Sequence, residues 1–335
     1  MSVRGTDAPL VSILVPTIGR LDYLRDTIAS VRDQTIRDFE VLVLDNASSP
    51  AAAEALEQWA NSDGRVRILR AESRIPMFAN FNRGIAAAAG KYITFFHDDD
   101  LYLPRFLEET TAGLERHASA ALAGTNADVI DDQGRVIDRR RTIPSTGIMR
   151  GRDYIERLLR RGRNIVSMPG VVFRRAAIRD AFDDSLSIHF GDFVLLMRIA
   201  EKYDLFLTNE PLVRVRRHAG QASLAMPFSE GIPHRTRTLL DYCDEYLGRH
   251  PDDVEFVARL RRRIGLVHRV GLAWGWAVAR SPEEATACRD RLGDTVFDAA
   301  AQTLMRTVDR TPVRVAFRSR AWRAVARKIG AAFGV

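Results

Sequence analysis

Three consecutive acids, Asp98, Asp99 and Asp100, lie inside the segment YITFFHDDDLYLP at residues 92–104. Three like charges in a row repel one another, and burying them bare costs free energy. They become tolerable when a cation or several hydrogen-bond donors lie among them. Hard carboxylate oxygens suit Mg²⁺ or Mn²⁺, above all where phosphate oxygens complete the shell. A solvated acidic turn would account for the same residues without a metal. Other polar positions are also placed for chemistry. Asp45 closes an apolar run, where a carboxylate can accept a hydrogen bond from a base N–H or a ribose hydroxyl. The same stretch, DNASS, is also a turn sequence. Asp192, in HFGD, precedes a helical pattern and fits either an N-cap or a general base facing a bound hydroxyl. His218 follows Arg214, Arg216 and Arg217, and suits a metal, a phosphate contact or plain packing.

The elements that must position these residues follow from the hydrophobic pattern. Residues 92–96 form an apolar, β-branched and aromatic run after Gly90, which predicts a buried strand ending at the acids. Apolar runs at 10–15, 39–44 and 66–69 predict three more strands. They alternate with helices over 21–33, 51–60 and 78–89, at βαβ spacing. This predicts an α/β fold with a mostly parallel central sheet flanked by helices. Right-handed crossovers would line the polar strand ends along one edge, where ligands collect in such sheets. Thr17, in PTIG after the first run, would then share a crevice with Asp45 and the acids.

Beyond this half, Pro104 opens a helix to residue 116. Strands are expected at 120–123, 128–130, 136–138 and 169–174, and helices at 152–161 and 192–202. Two edge strands, 205–207 and 212–215, are expected on either side of Pro211. The α/β composition ends near Ser223, which predicts an α/β domain over 1–223 and a helical extension over 224–335. Helices are expected in the extension at 233–247, 253–279, 283–291 and 294–308. From Arg310 onward there are seven basic residues and no acid. A basic amphipathic end of this kind suits an anionic membrane surface, a docking face on the protein itself or a second copy.

The chain has 335 residues and a formal net charge of +7, which favours anionic partners. No nucleic-acid reading motif is present, so no specific nucleic-acid partner is expected. Cys243 and Cys288 are the only cysteines and form neither a zinc pattern nor a disulfide framework, which points to a reducing compartment. Neither a signal pattern nor an apolar run of about 18 residues appears, so a cytoplasmic protein is expected, with the inner membrane face as a peripheral contact. GxGxxG, GxxxxGK[ST] and GxSxG are all absent, which argues against classical nicotinamide, P-loop and α/β-hydrolase chemistry.

Taken together, VSILVPTIGR (11–20), QTIRDFEVLVLDNASS (34–49), ANFNRG (79–84), GKYITFFHDDDLYLP (90–104) and the stretch from Phe190 to Ser223 resemble an inverting family 2 nucleotide-sugar glycosyltransferase with a GT-A fold. The resemblance implies Mg²⁺ or Mn²⁺, a nucleoside-diphosphate sugar as donor and a hydroxyl acceptor in glycan, glycolipid or secondary-metabolite synthesis. By motif position it implies that Pro16, Thr17 and Asp45 hold the nucleobase region and Asp98 lies near the ribose. Asp99 would ligate the metal, with Asp100 supporting the loop and His218 as a second metal or diphosphate contact. Asp192 would be the catalytic base. Three positions depart from the family pattern: His97 replaces an aspartate, Phe81 an arginine, and Gly191 the glutamate beside the base. A metal-dependent phosphate-ester enzyme and a noncatalytic nucleotide-sugar-binding module are the alternatives.

Overall fold

The structure, a computed structural model, describes residues 8–161, 164–178, 182, 183, 190–218, 220, 221 and 228–278, with 283, 286 and 287. Its first half alternates strands and helices: β1 (Val11–Thr17), α1 (Leu21–Arg32), β2 (Phe39–Asp45), α2 (Pro50–Ser62), β3 (Val66–Arg70), α3 (Met77–Ala87) and β4 (Tyr92–Phe95). Every residue of β2 and β4 is buried, which is why these strands read as continuous apolar runs. Local signals start α2, where Ser49 Oγ accepts a hydrogen bond from Ala52 N and Pro50 occupies the first turn. The strands pair in parallel as β3-β2-β1-β4, and Thr17 lies opposite Asp45 at their carboxyl ends. Helix α3 packs closely because Gly84 faces β2: a Cβ there would lie 2.7 Å from Leu44 Cδ1.

The second half extends the sheet with β5 (Leu101–Tyr102), β6 (Ala120–Ile130), β7 (Val136–Arg140), β8 (Gly147–Met149), β9 (Val171–Arg174) and β10 (Asp204–Arg216). Helices α4 (Phe106–Arg116), α5 (Gly151–Arg161) and α6 (Gly191–Ala200) fall between them. The full order is β3-β2-β1-β4-β9-β6-β10-β5, with β7 on β6 and β8 on β10. The sheet is therefore parallel in its first half and mixed in its second. Strand β9 is antiparallel to both β4 and β6, and β10 is parallel to β6. The two reversals cancel, so β10 runs in the same sense as β1, β2 and β4. Its carboxyl end arrives on their edge.

Two expectations change here. The paired edge strands around Pro211 are one strand of 13 residues with neighbours on both sides. Proline lacks an N–H, and the ladder absorbs it through register shifts on either side of Pro211. Likewise 120–130 is one continuous strand. The polar Thr125 and Asn126 that interrupt its pattern are buried, and Asn126 Nδ2 donates to Ile143 O at 2.9 Å and Asn209 O at 2.8 Å. Satisfied polar groups can occupy a buried strand that the hydrophobic pattern alone would break.

A helical extension follows, with α7 (Phe228–Arg249) and α8 (Val254–Val278). Of the helix expected at 283–291 only residues 283, 286 and 287 are described; the helix expected at 294–308 and the basic end lie outside the described residues. By contacts the chain divides into two compact units, Met1–Tyr154 with Ile165–Ala219, and Ile155–Asn164 with Gly220–Val335. Among the described residues no helix is long and apolar enough to cross a membrane.

Candidate active site

The acids occupy the turn between β4 and β5, and β5 is annealed to β10 with Tyr102 opposite Val213. Tyr102 ties the turn to the strand it leaves: its hydroxyl accepts from His97 N at 2.8 Å and donates to Phe95 O at 3.0 Å. Each acid then receives donors from distant elements. Thr17 Oγ1 donates to Asp98 Oδ2 at 2.6 Å, and is itself fixed by Gly19 N at 2.9 Å. Arg20 Nη1 donates to Asp99 Oδ2 at 2.7 Å, and His218 Nε2 lies 3.0 Å from the same oxygen. Arg216 N donates to Asp100 Oδ1 at 2.8 Å. The solvated-turn reading fails, because all three acids are buried.

Arg216 is the keystone of this turn, with a side chain only 2% exposed. Its Nε donates to Asp99 O at 3.0 Å, Nη1 to Asp132 O at 3.0 Å, and Nη2 to Asp26 Oδ2 at 2.9 Å. The guanidinium also lies 4.9 Å from the centre of the Tyr23 ring, which in turn packs 4.8 Å from the ring of His218.

The three acids differ electrostatically. Burial drives Asp100 well above the usual carboxylate range, reinforced by neighbouring Asp99. Burial also raises Asp98, against the hydrogen bond from Thr17. Asp99 is opposed by burial too, but His97, the bond from His218 and Arg20 outweigh it and hold its carboxyl below the ordinary value. Asp99 is thus the acid best kept ionised. Ligand atoms of His97, Asp99 and Asp100 lie within 4.8 Å of one another. Nε2 of His97 is buried without a hydrogen-bond partner. The carboxylate oxygens suit Mg²⁺ or Mn²⁺, and the imidazole is the one nitrogen donor of the set. His97 therefore joins the cluster from a position where the family pattern carries an acid.

Asp45 ends β2, fully buried, with Oδ1 accepting from Ser48 N at 3.0 Å and Oδ2 from Arg70 Nε at 2.7 Å. Its neighbour Ala47 holds a left-handed backbone, φ 54°, the one non-glycine with positive φ among the described residues. Pro16 is the penultimate residue of β1, opposite Leu44. Asp192 lies in the first turn of α6, past the N-cap residue Phe190, and its Oδ1 accepts from Phe193 N at 2.9 Å. The helix is seated by Gly191, where a Cβ would come 2.3 Å from the Phe78 ring. That explains the glycine: α3 leaves no room for an acidic side chain. Phe81 belongs to the same aromatic cluster, 6.2 Å from Phe78, 5.3 Å from Phe182 and 6.2 Å from the His97 ring. The three departures from the family pattern thus lie along one packed cluster.

Thr17, Asp98, Asp99, Asp100 and His218 are brought together by direct contacts, and Asp45 lies across the β1–β2 pair from Thr17. Arg20, Arg216 and Tyr23 were not singled out as site residues. Arg20 had a usable signal, since it follows the turn glycine of the first strand loop. Arg216 resembled its neighbours in a basic run.

Residues 12–182 match Glycosyl transferase family 2, and the chain belongs to that family. Its fold is GT-A. It is 31% identical over 137 residues to an uncharacterised glycosyltransferase of Methanocaldococcus jannaschii, covering 40% of this chain and 47% of that protein. It is 27% identical over 261 residues to the O-antigen biosynthesis protein RfbC of Myxococcus xanthus, covering 75% of this chain and 19% of that one. The chain thus spans less than half the length of these two relatives. Among solved structures it resembles S. aureus TarS 1-349 in complex with UDP-GlcNAc, with TM-score 0.63 at 17% identity over 85% of this chain and 80% of that one. It also resembles the mannosyltransferase PcManGT of Pyrobaculum calidifontis, in complex with GDP-Man and Mn²⁺, with TM-score 0.57 at 17% identity over 98% and 87%.

Proposed function

We propose that the chain transfers a sugar from a nucleoside-diphosphate sugar to an acceptor hydroxyl with inversion, assisted by Mg²⁺ or Mn²⁺. The observation that carries this reading is the meeting of Thr17, Asp98, Asp99 and His218 at the carboxyl ends of β1, β4 and β10 in a family 2 chain. In this reading Pro16, Thr17 and Asp45 border the nucleobase and Asp98 takes the ribose. Asp99 holds the cation with His218 or His97, and Asp100 shapes the loop. When bound, the cation offsets the charge that builds on the leaving nucleoside diphosphate. Asp192 accepts the acceptor's proton as its oxygen attacks the anomeric carbon from the face opposite the diphosphate. The bond from that carbon to the diphosphate oxygen breaks, the diphosphate leaves with the electron pair, and one displacement inverts the centre. One relative named for O-antigen biosynthesis, and structural neighbours in complex with UDP-GlcNAc or GDP-Man, support this class of donor. A cytoplasmic location, a domain boundary at residue 223, and contact of the helical C-terminus with a membrane surface or a second copy belong to the same proposal.

Calorimetry with Mn²⁺ or Mg²⁺ and a panel of nucleotide sugars tests it. One donor should bind, and a chelator should abolish that binding. Binding of no diphosphate donor overturns the reading and turns attention to phosphate-ester substrates. Asp192→Asn should keep donor affinity while turnover falls by about 10²- to 10⁴-fold. Retained donor binding with no turnover in the wild type, across a broad acceptor screen, would favour a noncatalytic binding module.

A further inference from the structure

Building on that reading, we propose that Arg20 is a resident counter-cation of the acidic loop, displaced from Asp99 by the divalent cation and moved onto the donor's diphosphate. Arg20 immediately follows Gly19, whose positive φ of 84° turns the chain out of β1. A Cβ at Gly19 would lie 2.7 Å from Ala52 Cβ and 2.9 Å from Ser48 Oγ, so the turn is pressed against the first turn of α2 and the loop before it. This fixes where Arg20 starts and leaves its side chain long enough to choose among anions. At present Nη1 lies 2.7 Å from Asp99 Oδ2, 3.9 Å from Asp98 Oδ1 and 3.4 Å from His218 Nε2. One guanidinium nitrogen therefore occupies the point where the Asp99 carboxylate and a candidate imidazole ligand converge.

Two cations cannot share that point. A divalent ion would bind a carboxylate oxygen at about 2.0–2.1 Å for Mg²⁺, which brings it close to any guanidinium bonded to the same oxygen. Like charges at that range repel strongly in a partly buried site. The two arginines at the loop differ in their freedom to yield. Arg216 is buried and held by several bonds, whereas the Arg20 side chain is 30% exposed and meets the loop through one nitrogen. Arg20 is the group that can leave. The nearest anion that arrives with the metal is the donor's diphosphate, and a guanidinium fork matches phosphate oxygens in geometry and charge. The same residue would thus hold the acids together without donor and clamp the diphosphate with it.

The test titrates Mn²⁺ alone, and then UDP, GDP and TDP in saturating Mn²⁺, into wild type and Arg20→Ala. The variant should bind Mn²⁺ alone about tenfold tighter, the equivalent of about 1.4 kcal/mol. It should bind the cognate diphosphate about tenfold more weakly. The rise in Tm on adding Mn²⁺ should also be larger in the variant. Arg20→Gln keeps a hydrogen-bond donor without the charge, and should give the same signs if Arg20→Ala folds poorly. Unchanged or weaker Mn²⁺ binding in the variants overturns the counter-cation role, and unchanged diphosphate affinity overturns the clamp. Those outcomes leave the donor reading intact, provided the wild type binds a diphosphate. A wild type that binds none overturns the donor reading and this inference with it.

Discussion

The end of β2 and the turn after β4 both bury carboxylates, but they satisfy them in different ways. Asp45 is held by Ser48, three residues on, and by Arg70 from the adjacent parallel strand. Burial opposes its charge, and those bonds win, so its carboxyl lies below the ordinary value. The acidic loop draws its donors from β1, α1 and the far end of β10, and two of its three acids are still raised by burial. One region is a locally completed anchor. The other is a concentration of negative charge kept in place by remote parts of the fold, as a site awaiting cationic or phosphate-bearing ligands would be.

The largest expected effect is at Arg216. Arg216→Met keeps an apolar stem beside Tyr23 but strands Asp99 O and Asp132 O and releases Asp26. Asp26 is half-exposed and can turn to water, so the cost comes mainly from the two carbonyls left unpaired, at about 1–3 kcal/mol each. We expect a loss of about 3 kcal/mol in urea unfolding. Metal-dependent donor binding should fail with it. A loss below about 1 kcal/mol would show that the loop does not depend on the Arg216 guanidinium, and the contrast with Asp45 would rest on Thr17, Arg20 and His218 alone.

Asp45→Asn probes the other region and should cost less. Asparagine can still accept from Ser48 N, but it presents an amide to Arg70. Arg70 is half-exposed and can turn to Glu57 or water, so we expect about 1.5 kcal/mol, the low end for a charge-assisted bond. The pH dependence has a definite sign. The folded value for Asp45 is depressed, so its stabilisation is fully present above the unfolded value of about 3.9 and is lost as pH falls through the folded one. The stability gap between wild type and variant should therefore narrow on acidification below about pH 4. Asp98 and Asp100 act in the opposite sense, because their folded values are raised. In chelator, their contribution is fully present below the unfolded value and is lost as pH rises through the folded ones. A gap that widens in acid would contradict the assignment of Asp45 as the stabilised carboxylate.

The same contrast explains what the sequence could disclose. β1, β2 and β4 are short, nearly unbroken apolar runs with turn residues after them, so their ends and the polar groups at those ends were legible. Asp45, Thr17 and the acids are marked in this way as the polar groups at those ends, whereas His218 follows β10 and is marked only by its place after the basic run. The second half was harder, because β9 inserts between β4 and β6 and no local pattern records that placement. Pro211, Thr125 and Asn126 broke the hydrophobic pattern where the strands continue. Arg216 was hidden for a related reason: its role depends on β10 ending beside β4, a consequence of two antiparallel pairings far apart in sequence.

The smallest expected effect asks how far the remote network extends. The turn between β6 and β7 meets Arg216 through the backbone carbonyls of Asp131 and Asp132, which a side-chain change does not remove. It meets Tyr23 through the Asp132 carboxylate, which accepts from the Tyr23 hydroxyl at 2.8 Å in an exposed position. Asp132→Ala should therefore cost only about 0.5 kcal/mol or less, as exposed contacts usually do. It should nevertheless be visible at Tyr23, whose ionisation is raised first by that hydrogen bond and then by burial. A difference absorbance titration against wild type should show one tyrosine ionising at lower pH in the variant. If the titration is unchanged, the tether does not form in solution, and the network ends at Arg216. If stability instead falls by more than about 2 kcal/mol, the turn is itself a support of the acidic loop. The divide between the two regions would then run through β7 as well as β10.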